Sequence, residues 1–165
     1  MKILGIDPGY ALLGYGIIED EGNNIRPVDF GVIETFPDAA FPERLEKTYN
    51  GVVFLCETFQ PDYIAFEELF FYHNITTAIP VGAARGVALL AAQQSGKPLY
   101  EFTPMQIKLS ITGSGSSDKK AVQQMVQMIL HLKEKPKPDD AADALACALC
   151  LYNISPPYRA QYLIK

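Results

Sequence analysis

Apolar and polar positions divide the chain into a strand-rich first third and a more helical remainder. KILGID, residues 2–7, is a nearly continuous apolar run of the kind found in a central strand buried on both faces. GYGIIED and VDFGVIETF continue as strands around the turn-forming EGNN, so the first three strands are expected to form an antiparallel meander. From Phe41 to Phe59 the period changes. Leu45, Tyr49, Val52, Val53, Cys56 and Phe59 recur at spacings of three and four, predicting an amphipathic helix that Pro61 ends. YIAFE reads as a fourth strand, reached through a helical crossover and so expected to run parallel to the first. Residues 75–95 predict a helix with small residues on its surface, and PLYEF a short fifth strand. Val122, Met125, Val126, Ile129 and Leu130 mark a helix from about Asp118 to Leu132. Pro136 and Pro138 then break the chain before a last helix from about Asp139 to Tyr152. The order βββαβαβαα predicts an α/β fold with a mixed five-stranded sheet flanked by helices.

No repeat, low-complexity tract or linker interrupts residues 1–165, which are expected to form one domain with a core of its own. Apolar residues make up 48% and charged residues 20%, as in a soluble globular protein. GVALLAA, the most apolar run, is too short to span a bilayer, and MKILGID is too short for a signal peptide, so a cytoplasmic location is expected. Cys147 and Cys150 spell C-x-x-C inside the last helix with no second pair and no nearby histidine, which predicts core thiols. His73 and His131 form no ligand cluster with them. The net charge of −5 argues against a nucleic-acid partner, but its distribution does not. Residues 1–82 carry 13 acidic and 4 basic residues, and residues 83–165 carry 6 and 10, which allows a local basic face.

The acids carry the chemistry. Asp7 ends the first strand and Glu67 the fourth, and strands joined by one crossover are commonly neighbours, so both project from one edge of the sheet. The last helix opens with PDDAADALACAL, and burying carboxylates in so apolar a helix is costly without compensation. Asp140 and Asp143 are three apart and Asp139 and Asp143 four apart, so spacing leaves both pairs open. Clustered carboxylates without His or Cys point to a hard cation, Mg²⁺ or Mn²⁺. Two such ions roughly 3.5–4 Å apart can clamp the attacking and leaving oxygens of a phosphodiester. The residues alone therefore predict metal-dependent phosphoryl transfer.

GIDPGYALLGYGII, FEELFFYHN, GAARGVALLAA, TPMQIK and PDDAADALACA occur in that order, and in them the chain resembles the RuvC family of Holliday-junction resolvases from residue 3 to about residue 152. The resemblance implies a ribonuclease-H-like fold and an endonuclease that resolves four-way DNA junctions in recombination and repair. It implies that Asp7, Glu67, Asp140 and Asp143 bind two Mg²⁺ ions, with Mn²⁺ able to substitute, and leaves Asp139 as a first-turn cap. It further implies that Phe70 stacks on a base at the junction centre and that Lys108 and Lys119 contact DNA with Lys120 assisting. Gly113 and Gly115 are expected to make the intervening loop flexible enough to bring backbone close to phosphate. The resemblance also implies the RuvA–RuvB branch-migration complex as partner. A homodimer is expected because two symmetric nicks in a nearly two-fold symmetric junction need two active sites, with the helix from about Ile75 to Gln94 as its face, where Ala83, Ala84, Gly86 and Ala88 allow close approach. The chain departs from the family pattern at Ser114, Ser116 and Ser117, where relatives commonly carry an aromatic and an arginine. Three alternatives share features of this pattern: actin-like ATPases and sugar kinases, which need two such domains; YqgF-type nucleases of ribosomal RNA processing; and an inactive junction-binding protein.

Overall fold

The structure, a computed structural model, describes residues 1–22, 24–69 and 75–165, with backbone alone at 75–77. Five strands form one sheet: β1 (Lys2–Asp7), β2 (Leu12–Asp20), β3 (Ile25–Glu34), β4 (Tyr63–Glu67) and β5 (Leu99–Phe102), in the order β3-β2-β1-β4-β5. β1 is central. It pairs antiparallel with β2 and parallel with β4, while β3 is antiparallel to β2 and β5 parallel to β4. β3 begins three residues earlier than its apolar pattern predicts, because a bulge between Ile17 and Ile18 lets the ladder continue past Pro27 to Ile25.

Alternation along the strands separates two faces. Leu4, Ile6, Leu13, Ile17, Ile64 and Phe66 pack beneath α1 (Phe41–Phe59) and α2 (Ile75–Gln94). Ala84 and Ala88, expected on a free surface of α2, are fully buried among the residues of that core, so these two methyls serve the protomer itself. The outward stripe of α2 is Ile79, Gly82, Gly86 and Leu90.

The opposite face is covered by α5 (Asp139–Asn153), with α3 (Pro104–Thr112) and α4 (Lys119–Ile129) packed against it. α3 lies in the TPMQIK segment, where periodicity predicts nothing. It is built by its ends: Thr103 Oγ1 accepts from Gln106 N at 3.1 Å, Gln106 Oε1 accepts from Thr103 N at 2.8 Å, and Gly113 closes the helix at φ 79°. α4 ends before its predicted limit because His131 turns into the left-handed region at φ 51°. A final 3₁₀ segment, Pro156–Tyr162, also lacks a periodic signature.

α5 is apolar almost all round, with Ala141, Ala142 and every residue from Ala144 to Leu151 buried. It approaches the sheet more closely than side chains allow. A Cβ placed on Gly5 would lie 2.0 Å from the Ala144 carbonyl oxygen, one on Gly14 2.1 Å from that of Asp140, and one on Gly16 2.7 Å from Leu145. Gly5 pairs with Gly16 and Asp7 with Gly14, so these positions share the face that α5 covers. The glycines are the slot into which the acid-bearing helix sits. Among the described residues no helix is long and apolar enough to cross a membrane.

Candidate active site

Backbone register brings the first two acids together. Ile6 pairs with Phe66 across the parallel β1–β4 ladder, so Asp7 and Glu67 lie one step further on adjacent strands. Both share the α5 face with Gly5 and Ala65, which are also partners. The first turn of α5 enters from above. Its N-cap is Pro138, which offers no side-chain cap, and Asp139 and Asp140 occupy the first turn. Asp139 therefore does not cap by hydrogen bonding as expected; it is 62% exposed, while Asp143 is 22% exposed and turns inward. Asp140, in the same first turn, is half-buried.

Lys119, the first residue of α4, reaches into this group. Its Nζ lies 2.8 Å from Asp143 Oδ2 and 3.7 Å from Asp139 Oδ2. The family resemblance places this side chain on DNA; its ion pair with Asp143 has no signal in the sequence, since 24 residues separate the two. A cavity of about 240 Å³ is lined by Glu67, Lys108, Lys119, Asp143 and the apolar residues Ile107 and Val122. Four of the expected site residues thus share one cleft. Lys120 is exposed, beside Lys119. Phe70 lies outside the described residues.

The electrostatics are those of crowded, half-dried carboxylates. Burial, then the charges of Asp143 and Asp140, push Asp7 up to about 7, against a smaller opposing effect of Lys119. Burial, then Asp7 and Asp143, push Glu67 up to about 8, with Lys119 and Lys108 pulling the other way. Burial also raises Asp143, although its hydrogen bond from Lys119 opposes this. For Lys119 itself burial acts downward, but the hydrogen bond and charge of Asp143 prevail and raise it. A cluster of acids so placed carries more negative charge than Lys119 and Lys108 offset, and its donors are all oxygens, the chemistry that suits a hard divalent cation. Among the described residues, however, no three of these side chains close into a ready coordination shell. The acid set fits such a cation by chemistry, and Asp143 meanwhile holds the ammonium of Lys119.

The loop after Asp7 is held by residues the sequence did not single out. Arg44 of α1 is buried, with its guanidinium 3.6 Å above the Tyr10 ring and its Nε donating to Thr35 Oγ1 at 3.0 Å. Thr35 Oγ1 donates to the Tyr10 carbonyl at 2.6 Å. Within the 113–117 loop, Thr112 Oγ1 and Ser117 Oγ are 2.7 Å apart, and Ser114 Oγ and Ser116 Oγ 3.0 Å. Cys147 and Cys150 are buried, as expected of core thiols, and burial raises both pKa values.

A mixed five-stranded sheet with acids at the ends of its parallel strands, faced by one acid-bearing helix, defines the ribonuclease-H-like class. The chain belongs to the family described as crossover junction endodeoxyribonuclease RuvC, whose family model matches residues 3–151. The crossover junction endodeoxyribonuclease RuvC of Thermosipho melanesiensis is 56% identical over 151 residues, covering 92% of this chain and 96% of the relative. The solved Thermus thermophilus RuvC structure superposes with a TM-score of 0.86 at 37% identity, covering 99% of this chain and 98% of that one. A second T. thermophilus RuvC structure, in complex with Holliday junction substrate, gives a TM-score of 0.84 at 38% identity over 93% of this chain and 94% of that one.

Proposed function

We propose that this chain cuts four-way DNA junctions, hydrolysing one phosphodiester on each of two opposed strands during recombination and repair, with Mg²⁺ as cofactor and Mn²⁺ able to replace it. The observation that carries the reading is the half-buried acid group at one sheet edge, opened to a cleft that also contains Lys108 and Lys119, in a member of the RuvC family. Residues 1–165 act as a single nuclease domain, located in the cytoplasm.

Asp7, Glu67, Asp140 and Asp143 would hold two ions per site. The bound ions would lower the pKa of the attacking water and neutralise charge on the phosphate. The chain's own residues do the rest. The glycine slot under α5 sets where Asp140 and Asp143 stand relative to Asp7. The apolar walls of the cleft, Ile107 and Val122, limit water around the acids. Lys119 pairs with Asp143 and, were that carboxylate to hold a cation instead, would be available to a DNA phosphate, with Lys108 on the α3 side of the same cleft. Lys120 adds charge at its rim. Phe70 supports the junction centre by stacking, a reading that rests on family resemblance.

Two symmetric cuts need two active sites, which an isologous dimer supplies with one patch. The outward stripe of α2, Ile79, Gly82, Gly86 and Leu90, supports that face in place of the buried Ala84 and Ala88. The RuvA–RuvB branch-migration complex is the corresponding partner assembly.

The deciding experiment incubates the protein with a labelled four-way junction, a matched linear duplex and a structured RNA, each with Mg²⁺ and with EDTA. Paired, ligatable nicks confined to the junction and dependent on Mg²⁺ are expected. Equal cutting in EDTA would overturn the metal-dependent reading. Preference for RNA would point to the ribosomal-RNA alternative, and tight binding without cutting to an inactive junction binder.

A further inference from the structure

We infer that the loop joining α4 to α5 grips the phosphate backbone of one duplex arm through Lys133, Lys135 and Lys137, an inference that rests on the junction-cutting reading above. The loop lies on the α5 face of the sheet, and together with Phe30 of β3 it lines a concavity of about 470 Å³. Three of its five residues from 133 to 137 are lysines, and Glu134 is the one acid. Ion pairs within 4.0 Å among the described residues engage Lys2, Arg26, Arg85 and Lys119, and none involves these three lysines. The chain has 19 acids and a net charge of −5, yet in this loop Glu134 alone stands among three lysines. That local excess of positive charge attracts an anion.

The backbone is suited to a polyanion. Lys135 and Lys137 each precede a proline, which restricts both to extended conformations. In an extended segment residues two apart stand roughly 6–7 Å from each other, a spacing on the scale of neighbouring phosphates along one DNA strand. Pro136 between them is buried and Pro138 forms the N-cap of α5, so the loop is anchored at both points. Gln127 Nε2 tethers its start, donating to the carbonyls of Leu132 at 3.3 Å and Lys133 at 3.4 Å. Little chain entropy remains to be lost on binding.

The position of the loop fits the same role. Lys137 stands three residues before Asp140, within about 11 Å by chain length alone. Lys108, Lys119 and Lys120 flank the acids from the α3–α4 side, so a backbone crossing the acid cleft meets cations before and after it. Contacts of this kind add affinity without reading sequence.

The test measures binding of the full chain to a fluorescent four-way junction, and to a linear duplex with the sequence of one arm, in EDTA across a series of KCl concentrations. Replacing all three lysines, Lys133→Ala, Lys135→Ala and Lys137→Ala together, should lower the slope of log affinity against log salt by about 2–3, at ~0.9 per lost phosphate contact. Low-salt affinity should fall at least tenfold on both DNAs, while the corresponding triple Lys→Arg variant keeps the parent slope. Lys97→Ala, which follows α2 and lines a cavity with Cys56 and Gln60 away from the acids, should leave the slope unchanged. If the triple alanine variant melts below the parent, the single Lys135→Ala variant is used instead, with a slope lowered by about 0.9 expected for its one lost contact. A parent that binds the junction beside a variant with the parent's slope overturns this inference alone, as does a loss seen on the junction but not on the linear arm. A parent that binds no junction overturns the functional reading as well.

Discussion

The ammonium of Lys119 lies 2.8 Å from Asp143 Oδ2, so the first residue of α4 and the fifth of α5 share one charge pair inside the acid cleft. The contact offsets some of the repulsion that Asp143 exerts on Asp7 and Glu67. On the proposed metal-dependent reading, a divalent cation and Lys119 would compete for this one carboxylate.

Lys119→Ala should accordingly do two opposite things. It should weaken junction binding with a shallower salt dependence, and it should tighten Mg²⁺ binding once the competing cation is gone. Isothermal titration of Mg²⁺ into parent and variant at pH 8, without DNA, reads the second effect directly. Weaker Mg²⁺ binding in the variant would show that Lys119 does not compete.

Asp7→Asn, Glu67→Gln, Asp140→Asn and Asp143→Asn should each abolish cutting while sparing junction binding in EDTA. For Asp7→Asn and Glu67→Gln a second consequence follows from burial. Removing a desolvated charge should raise the melting temperature of the metal-free protein above pH 8, where the parent carboxylates are forced to ionise. Calorimetry of the two amide variants in EDTA checks it, and lower melting temperatures would contradict it.

The same acids set a pH dependence whose sign can be worked out. In the unfolded chain Asp7 and Glu67 release their protons near 3.8 and 4.5; in the folded, metal-free protein they hold them to about 7 and about 8. Between those limits the native state binds more protons than the unfolded state, so metal-free stability should fall as pH rises from about 4 to about 8. Cations bind the ionised forms, so Mg²⁺ affinity and cutting should rise over pH 6–8 with release of protons. Proton release measured in buffers of different ionisation enthalpy gives the count. None at pH 6.5 would rule the assignment out.

Gly14→Ala should be far more damaging than an exposed glycine change. Its methyl would meet the Asp140 carbonyl at 2.1 Å, so α5 must shift, at a cost of about 1–3 kcal/mol or more. Cutting by the folded fraction should fall with it, because Asp140 moves too. Gly86 offers the contrast, since among the described residues nothing lies within 4 Å of the point where a methyl on it would stand. Gly86→Arg should leave each protomer folded yet move the sedimenting species from dimer toward monomer. An unchanged dimer would remove the outer stripe of α2 from the interface.

Much of this molecule is legible in its sequence, wherever a residue's environment follows from its near neighbours in the chain. The strand ends at Asp7 and Glu67, the crossover through α1 and the burial of α5 all come from local periodicity and connection rules. α3 escapes that reading because nine residues barely complete two periods, although Thr103, Pro104, Gln106 and Gly113 spell out both of its ends. The ion pair of Lys119 with Asp143 and the Arg44 clamp over Tyr10 depend on distant segments meeting, which no window of sequence contains. Ala84 and Ala88 illustrate the reverse error: small residues on a helix read equally well as an interface or as room for a sheet.

The slot formed by Gly5, Gly14 and Gly16 ties the acids to the cooperativity of the whole molecule. Backbone of α5 rests on backbone of β1 and β2, with no side chain between them to swing aside. Lifting Asp140 or Asp143 away from Asp7 then requires separating the last helix from the central strands. Amide protons of Ala144 and Ala148 should accordingly exchange only through global unfolding. On heating, catalytic geometry should persist until the melt itself, so activity and tertiary structure disappear in a single transition.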